Sequence, residues 1–337
     1  MTYELPKTIL ERFLSKKFVI LGRAGLDLYP NPIGLSTQDA DNFISDLGGS
    51  AANIAVSMSK LGCNTFLCST FSDDSVGDFI KKKLELYNIN TDYCNSISGS
   101  YKNSLALAEN KTHKPKVVIY RNNAADLQIS KELIKTINFE FKSGLIITGT
   151  ALSSEPSRGS VFAAVKLAKK NKCPVILDLD YRKDAWSSSM EASEKIGQIA
   201  IESDFCIGNE EEFDVLGLKN NFLSKDFAFY LAKKGKIIIY KKGDLGCEFM
   251  YLNNHFSLGA FNVKSLKPFG AGDAFMGGFI SSLSRKNNLK DSLIFGSACA
   301  ALVVSKIGCS SAMPVFSEVK TFIPVSYTHL TLPTRRF

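Results

Sequence analysis

Short apolar, β-branched runs alternate along the chain with longer stretches of helical periodicity. Residues 18–21, 145–148, 175–177, 205–207 and 237–240 each read as a buried strand, because an unbroken apolar run suits a strand covered on both faces. Each is followed by Gly, Asp, Asn or a charged loop. This alternation predicts an α/β fold with a doubly wound, mostly parallel sheet flanked by helices. Between Cys94 and Asp126 the texture changes, and Ser, Gly and Asn surround two candidate antiparallel strands at 104–108 and 117–120. Together with residues 28–47 they predict a small β-sheet lid. No internal repeat and no low-complexity linker interrupts the chain, so the expected organisation is one domain over 17–323, with the lid inserted from about 28–47 and 96–125. Residues 326–337 (SYTHLTLPTRRF) resemble a non-native tail and are left out of the fold reasoning.

The composition narrows the classes. A hydrophobic share of 45% over 337 residues suits a globular chain with a sizeable core and excludes disordered and fibrous proteins. The longest apolar stretches fall far short of the ~20 residues of a membrane span. Glu4, Lys7, Glu11 and Arg12 break up the N-terminus, so a secretory core is missing and a cytoplasmic location is expected. The eight cysteines form no CxxC pair and read as free thiols. His113, His255 and His329 are too dispersed to build a histidine-rich metal site. The net charge of +8 is spread along the chain, with a single lysine triplet at 81–83, so neither a nucleic-acid nor a membrane partner is expected. A basic cleft for phosphates would absorb part of the excess.

In an open parallel sheet, ligands bind outside the carboxyl ends of the strands. Four of the expected strands run there into polar or glycine-rich loops: Gly22-Arg-Ala-Gly-Leu-Asp27, Asp178-Leu-Asp-Tyr-Arg182, Gly208-Asn-Glu-Glu-Glu212 and Lys241-Lys-Gly-Asp-Leu-Gly246. The strongest local signal is Lys267-Pro-Phe-Gly-Ala-Gly-Asp-Ala-Phe-Met-Gly-Gly278. Its glycines allow a tight turn into a buried helix, whose unpaired amides and dipole form an anion site. Asp273 there is a candidate base for a nucleophilic hydroxyl. Read alone, the same residue serves equally well as a helix cap. A second turn, Gly48-Gly-Ser-Ala-Ala-Asn53, lets backbone approach a ligand and offers an amide that both donates and accepts, although Ser50 as an ordinary cap explains it too.

These two motifs, in this order and at this separation, resemble the paired signatures of the PfkB-type carbohydrate kinases, and the resemblance extends over about 18–323. It implies a ribokinase-like α/β fold with a β-lid, MgATP as donor, and transfer to a primary hydroxyl of a sugar. It further implies Asp273 as catalytic base, the amides of Gly270, Ala271 and Gly272 as anion hole, and Asp27, Gly49 and Asn53 as ligands of sugar hydroxyls. Asn209 and Glu212 match an Asn-x-x-Glu pattern that helps hold Mg2+ and the phosphates, largely through water, while Lys241, Lys242, Gly243 and Gly246 resemble the nucleotide loop. Relatives often dimerise through the lid strands, which makes a homodimer an expectation here.

Finer matches in Gly22 to Pro30, Tyr120 to Leu127 and Asp178 to Arg182 resemble the 5-dehydro-2-deoxygluconokinase branch of myo-inositol catabolism. That implies a sugar acid as small-molecule partner, phosphorylated on its terminal 6-hydroxyl. An acid needs a cation, and Arg121 in the lid, Arg182 at a strand end and Arg23 are the candidates, each of which could instead be a surface or structural ion pair. Within the family, 2-keto-3-deoxygluconate kinase and neutral-sugar kinases such as fructokinase or ribokinase are the alternatives. A non-catalytic sugar- or nucleotide-binding protein on the same fold is the alternative of another class, and it has no need of Asp273, Asn209 and Glu212. In one departure from the family pattern, Lys267 stands where many relatives carry an acidic residue beside a monovalent cation. Its ammonium is expected to replace the ion, so potassium activation is in doubt.

Overall fold

The alternation of side chains along each buried strand divides the interior into two cores. In the strand Lys17–Leu21, Phe18 and Ile20 belong to one core, whereas Val19 and Leu21 belong to the other. The computed structural model describes residues 5–111 and 116–326. Among them the strands are β1 (Lys17–Leu21), β2 (Gly25–Asn31), β3 (Asn42–Gly48), β4 (Asn64–Ser72), β5 (Asn90–Ile97), β6 (Leu105–Ala108), β7 (Val117–Tyr120), β8 (Gly144–Thr148), β9 (Val175–Asp178), β10 (Phe205–Asn209), β11 (Ile237–Lys241), β12 (Cys247–Tyr251) and β13 (Asn254–Leu258). Residues 327–337, most of the suspected tail, lie outside the described residues.

Nine strands form the large sheet, in the order β13-β12-β11-β10-β9-β8-β1-β4-β5. The run from β5 to β11 is parallel, and β12 and β13 close one edge antiparallel. Helices Ser50–Lys60, Ala271–Leu283 and Leu289–Val304 cover one face, and Ser157–Lys170, Ser189–Glu202 and Ser224–Lys233 the other. Each fully buried Ile, Leu or Phe in these cores contributes on the order of 2 kcal/mol of apolar burial. β2, β3, β6 and β7 make a separate four-stranded sheet, ordered β3-β2-β6-β7, which stands over the carboxyl edge of the large one.

The sequence pattern misses β4, although this strand lies between β1 and β5. Its apolar run is broken by Thr65, Ser69, Thr70 and Ser72, all buried. Three of these hydroxyls are satisfied locally: Thr65 donates to the Ala55 carbonyl, Thr70 to the Gln128 carbonyl, and Ser72 to Asn103 and Asp74. Their burial then costs little. The packed body also starts before residue 17, because Leu5 and Phe13 sit in the core and the Phe13 ring stacks on Phe205 at 5.9 Å.

Candidate active site

The carboxyl ends of β1, β9, β10 and β11, together with the inner face of the small sheet, enclose a cavity of about 1120 Å³. Arg23, Asp27, Gly49, Asn53, Arg121, Arg182, Asn209, Glu212, Lys241, Gly243, Gly246, Gly270, Ala271, Gly272 and Asp273 all line it. Lys242 does not. Its ammonium turns to the buried Glu248 at 3.2 Å, where Lys225 and the His255 ring converge too, because a buried carboxylate needs hydrogen-bond donors.

The helix Ala271–Leu283 starts at Gly270, whose φ of 79° is a left-handed conformation, and no side chain caps it. Its first amides therefore stay free for a ligand. Asp273 sits in this first turn, and its carboxylate accepts a hydrogen bond from Asn53 Nδ2 at 2.8 Å. Ser310 Oγ donates to Asn53 Oδ1 at 2.7 Å and so fixes which way the amide faces. Burial and then the nearby Asp180 push the Asp273 carboxyl up to about 6, against the opposing pull of Asn53, Arg182 and Lys241. At neutral pH it is ionised and close enough in pKa to accept a proton.

Asp27 is also pushed up to about 6, mainly by burial, while the Tyr29 hydroxyl donates to it at 2.9 Å. Room for this carboxylate exists because residue 48 is glycine: a Cβ there would lie 1.9 Å from Asp27 Oδ1. Gly49 follows with φ of 90°.

The three arginines differ. Arg23 Nε is paired with the buried Asp126 at 3.1 Å, and Ser104 holds the other oxygen of that carboxylate. Arg182 Nε is paired with Asp180 at 3.1 Å, itself bonded by Thr150 Oγ1 at 2.5 Å. Arg121 Nε and Nη1 are buried without a hydrogen-bond partner among the described residues. Burial and the neighbouring Arg23 bring the Arg121 pKa down to about 10, so it keeps its charge and its donors are unspent.

Asn209 and Glu212 form a capping box at the front of the helix Glu210–Gly217: Asn209 Oδ1 accepts from the Glu212 amide at 2.9 Å and Glu212 Oε2 from the Asn209 amide at 2.7 Å. Among the described residues no group of three or more His, Cys, Asp or Glu side chains is arranged as a ready cation site. Both residues line the cavity, and the capping box engages one carboxylate oxygen of Glu212, so the oxygen donors left over suit an ion that keeps most of its water, as Mg2+ does. Lys267 is 1% exposed and donates to the Phe269 carbonyl at 2.6 Å. Its burial lowers the ammonium pKa, opposed by Cys309, Asp273, Asp46 and Asp27.

Several lining residues are absent from the sequence reading. Ser297, Ala300, Ala301 and Val304 form one wall with 260–263. Their spacing of three, four and seven marks one helical face, yet a stripe of small residues reads as packing and does not announce a ligand. Tyr29 has only its place in the stretch Gly22 to Pro30 as a signal, and Cys309 and Ser310, the latter behind Asn53, have none.

The sequence pattern of the family described as pfkB family carbohydrate kinase matches residues 15–315. A protein of Photobacterium profundum named 5-dehydro-2-deoxygluconokinase is 37% identical over 324 residues, 95% of this chain and 98% of that protein. Among solved structures, the fructokinase of Xylella fastidiosa with bound ATP superposes with a TM-score of 0.82 at 21% identity, covering 93% of this chain and 99% of that one. An E. coli protein provisionally called ribokinase II, in complex with ATP and Mg2+, gives 0.80 at 20% identity, over 92% and 99%. The solved structures share the fold, a large mixed sheet flanked by helices plus a smaller sheet.

Proposed function

Because this chain belongs to the pfkB family of carbohydrate kinases, we propose that it phosphorylates the terminal 6-hydroxyl of a sugar acid from MgATP, with 5-dehydro-2-deoxy-D-gluconate from myo-inositol breakdown as acceptor. The observation that carries the acid preference is Arg121, a half-buried side chain whose buried Nε and Nη1 have no partner among the described residues, in the same cavity as Asp273. A carboxylate would satisfy it bidentately, whereas a neutral sugar would leave its charge buried and unpaired.

In this reading the acid group rests on Arg121, helped by the N–H groups of Arg182 that Asp180 leaves over. Asp27 and Asn53 hold ring or chain hydroxyls, and Asp273 accepts the proton of the terminal hydroxyl. The amides of Gly270, Ala271 and Gly272 offset charge that develops on the phosphoryl oxygens. Asn209 and Glu212 would hold Mg2+, which would supply positive charge against the phosphates. The loop with Gly243 and Gly246 lines the nucleotide side, and Lys242 serves the loop through Glu248.

The small sheet acts as a lid over the acceptor, inserted into a single kinase domain, and its closure keeps water from the phosphoryl group. Val118 and Tyr120, which alternate with the cavity-lining Val117 and Ile119, are exposed, as is Phe43, and these apolar side chains favour pairing of two copies through the lid strands. Lys267 supplies the positive charge that a monovalent ion gives in relatives. The eight free cysteines and MgATP as donor suit the cytoplasm. No helix of the described residues is long and apolar enough to cross a membrane.

An ADP-release assay over a panel of sugar acids and neutral hexoses tests the proposal. The highest kcat/KM is expected on 5-dehydro-2-deoxygluconate, with 2-keto-3-deoxygluconate below it and fructose and ribose lowest. Equal rates on neutral and acidic sugars would overturn the acid assignment, and ADP release independent of any sugar would overturn the kinase assignment.

A further inference from the structure

One ammonium stands at the front of the Ala271–Leu283 helix, and carboxylates from several elements face it. Lys241 ends β11 and Asp178 ends β9, the two strands that flank β10, so their side chains enter the cavity from either side of one strand. Lys241 Nζ lies 3.6 Å from Asp178 Oδ1. At that distance the attraction is charge to charge, and the N–H donors of Lys241 make no hydrogen bond to the described residues. Burial works against the lysine charge, but Asp178, followed by Glu212, Asp273 and Asp180, outweighs it and keeps the side chain cationic. A Cβ added to Gly272 would lie 3.2 Å from the same Nζ, which places the ammonium beside the Gly272 backbone at the front of the helix.

A lysine on its flexible stem would otherwise sample many positions. Asp178 is 3% exposed and sits on a strand end, so its position is fixed; burial pushes its carboxyl up and Lys241 pulls it down, so the lysine is what keeps the anchor charged. We propose that Lys241 is a catalytic residue whose Nζ contacts the phosphoryl group in transfer, and that Asp178 is the positioning residue that holds this ammonium beside Gly272 beforehand. Charge prepared in place strengthens binding of the transition state more than that of the ground state, because the anchor pairs with the lysine until negative charge grows on the phosphoryl oxygens. The inference rests on the kinase reading above and adds to it the contact made by one side chain and the anchor of that side chain.

The test uses the full chain, with calorimetric titration of ATP and of ADP beside turnover. Lys241→Met is expected to lower kcat about 10²–10³-fold and to narrow the difference in affinity between ATP and ADP, leaving ADP binding as it was. Lys241→Arg should restore part of both. Asp178→Asn should lower kcat with ATP affinity unchanged or tighter, a split that a merely structural residue would not produce, and should cost nothing further in the Lys241→Met background. Equal weakening of ATP and ADP by Lys241→Met would overturn the phosphoryl contact. An undiminished effect of Asp178→Asn in the absence of Lys241 would overturn its positioning role. If the wild-type chain releases no ADP with any acceptor, it is the kinase reading that fails, and the ATP-to-ADP comparison still decides the contact.

Discussion

Asn53 and Asp273, 220 residues apart in the chain, meet through a 2.8 Å hydrogen bond in which the amide donates to the carboxylate. The bond joins the two glycine motifs into one site: the helix behind Gly49 supplies the donor, and the helix behind Gly270 supplies the acceptor beside the free amides. If Asp273 takes the proton of the acceptor hydroxyl, Asp273→Asn lowers kcat by about 10²–10⁴-fold. Nucleotide affinity measured by titration stays near the wild-type value. Wild-type turnover in this variant would refute the assignment.

The same pair sets the acid limb of the pH profile. Burial holds the Asp273 carboxyl at about 6, and only its ionised form accepts a proton. Activity in kcat/KM is therefore expected to be level above that pH and to fall about tenfold per unit below it. Asn53→Ala removes a hydrogen bond that favours the ionised form, so the limb moves to higher pH. A limb that stays in place would show that another group controls it.

Arg121 keeps two donors, Nε and Nη1, without a partner among the described residues. Removing it with Arg121→Met takes away a charge-assisted bond worth roughly 1.5–3 kcal/mol, so KM for the sugar acid rises about 10- to 100-fold. A neutral hexose at high concentration is turned over as before. Parallel losses on acid and neutral acceptors would count against carboxylate recognition.

Gly48 makes room for the Asp27 carboxylate. In Gly48→Ala the new methyl overlaps Asp27 Oδ1, which a Cβ would approach to 1.9 Å, and the carboxylate must turn away from Tyr29. Steady-state kinetics should register a raised sugar KM, while ATP affinity is preserved. Unchanged sugar affinity would mean that Asp27 does not touch the acceptor.

Lys267 brings its own charge to a place crowded by Asp27, Asp46, Asp273 and Cys309. Turnover in potassium and in sodium at equal ionic strength should therefore agree within about twofold, since little is left for an ion to neutralise. Lys267→Asp adds a like charge and should make thermal unfolding sensitive to potassium, with Tm raised by the salt. A severalfold potassium activation of the unaltered chain would contradict the replacement.

The local sequence determined the strands β1 and β8 to β11, because a strand buried on both faces has to be apolar without interruption. It determined the glycine turn and the uncapped amides at the front of the Ala271–Leu283 helix as well, since these are properties of a few consecutive residues. Tertiary structure decided the rest. It showed that β4 can run between two strands with buried hydroxyls, that Lys242 turns to Glu248, that Ser310 stands behind Asn53, and that Asp126 and Asp180 engage Arg23 and Arg182 while Nε and Nη1 of Arg121 have no partner among the described residues. Whether a charged or hydroxyl side chain is spent or available depends on partners brought from distant parts of the chain, and no local period or spacing encodes those distances.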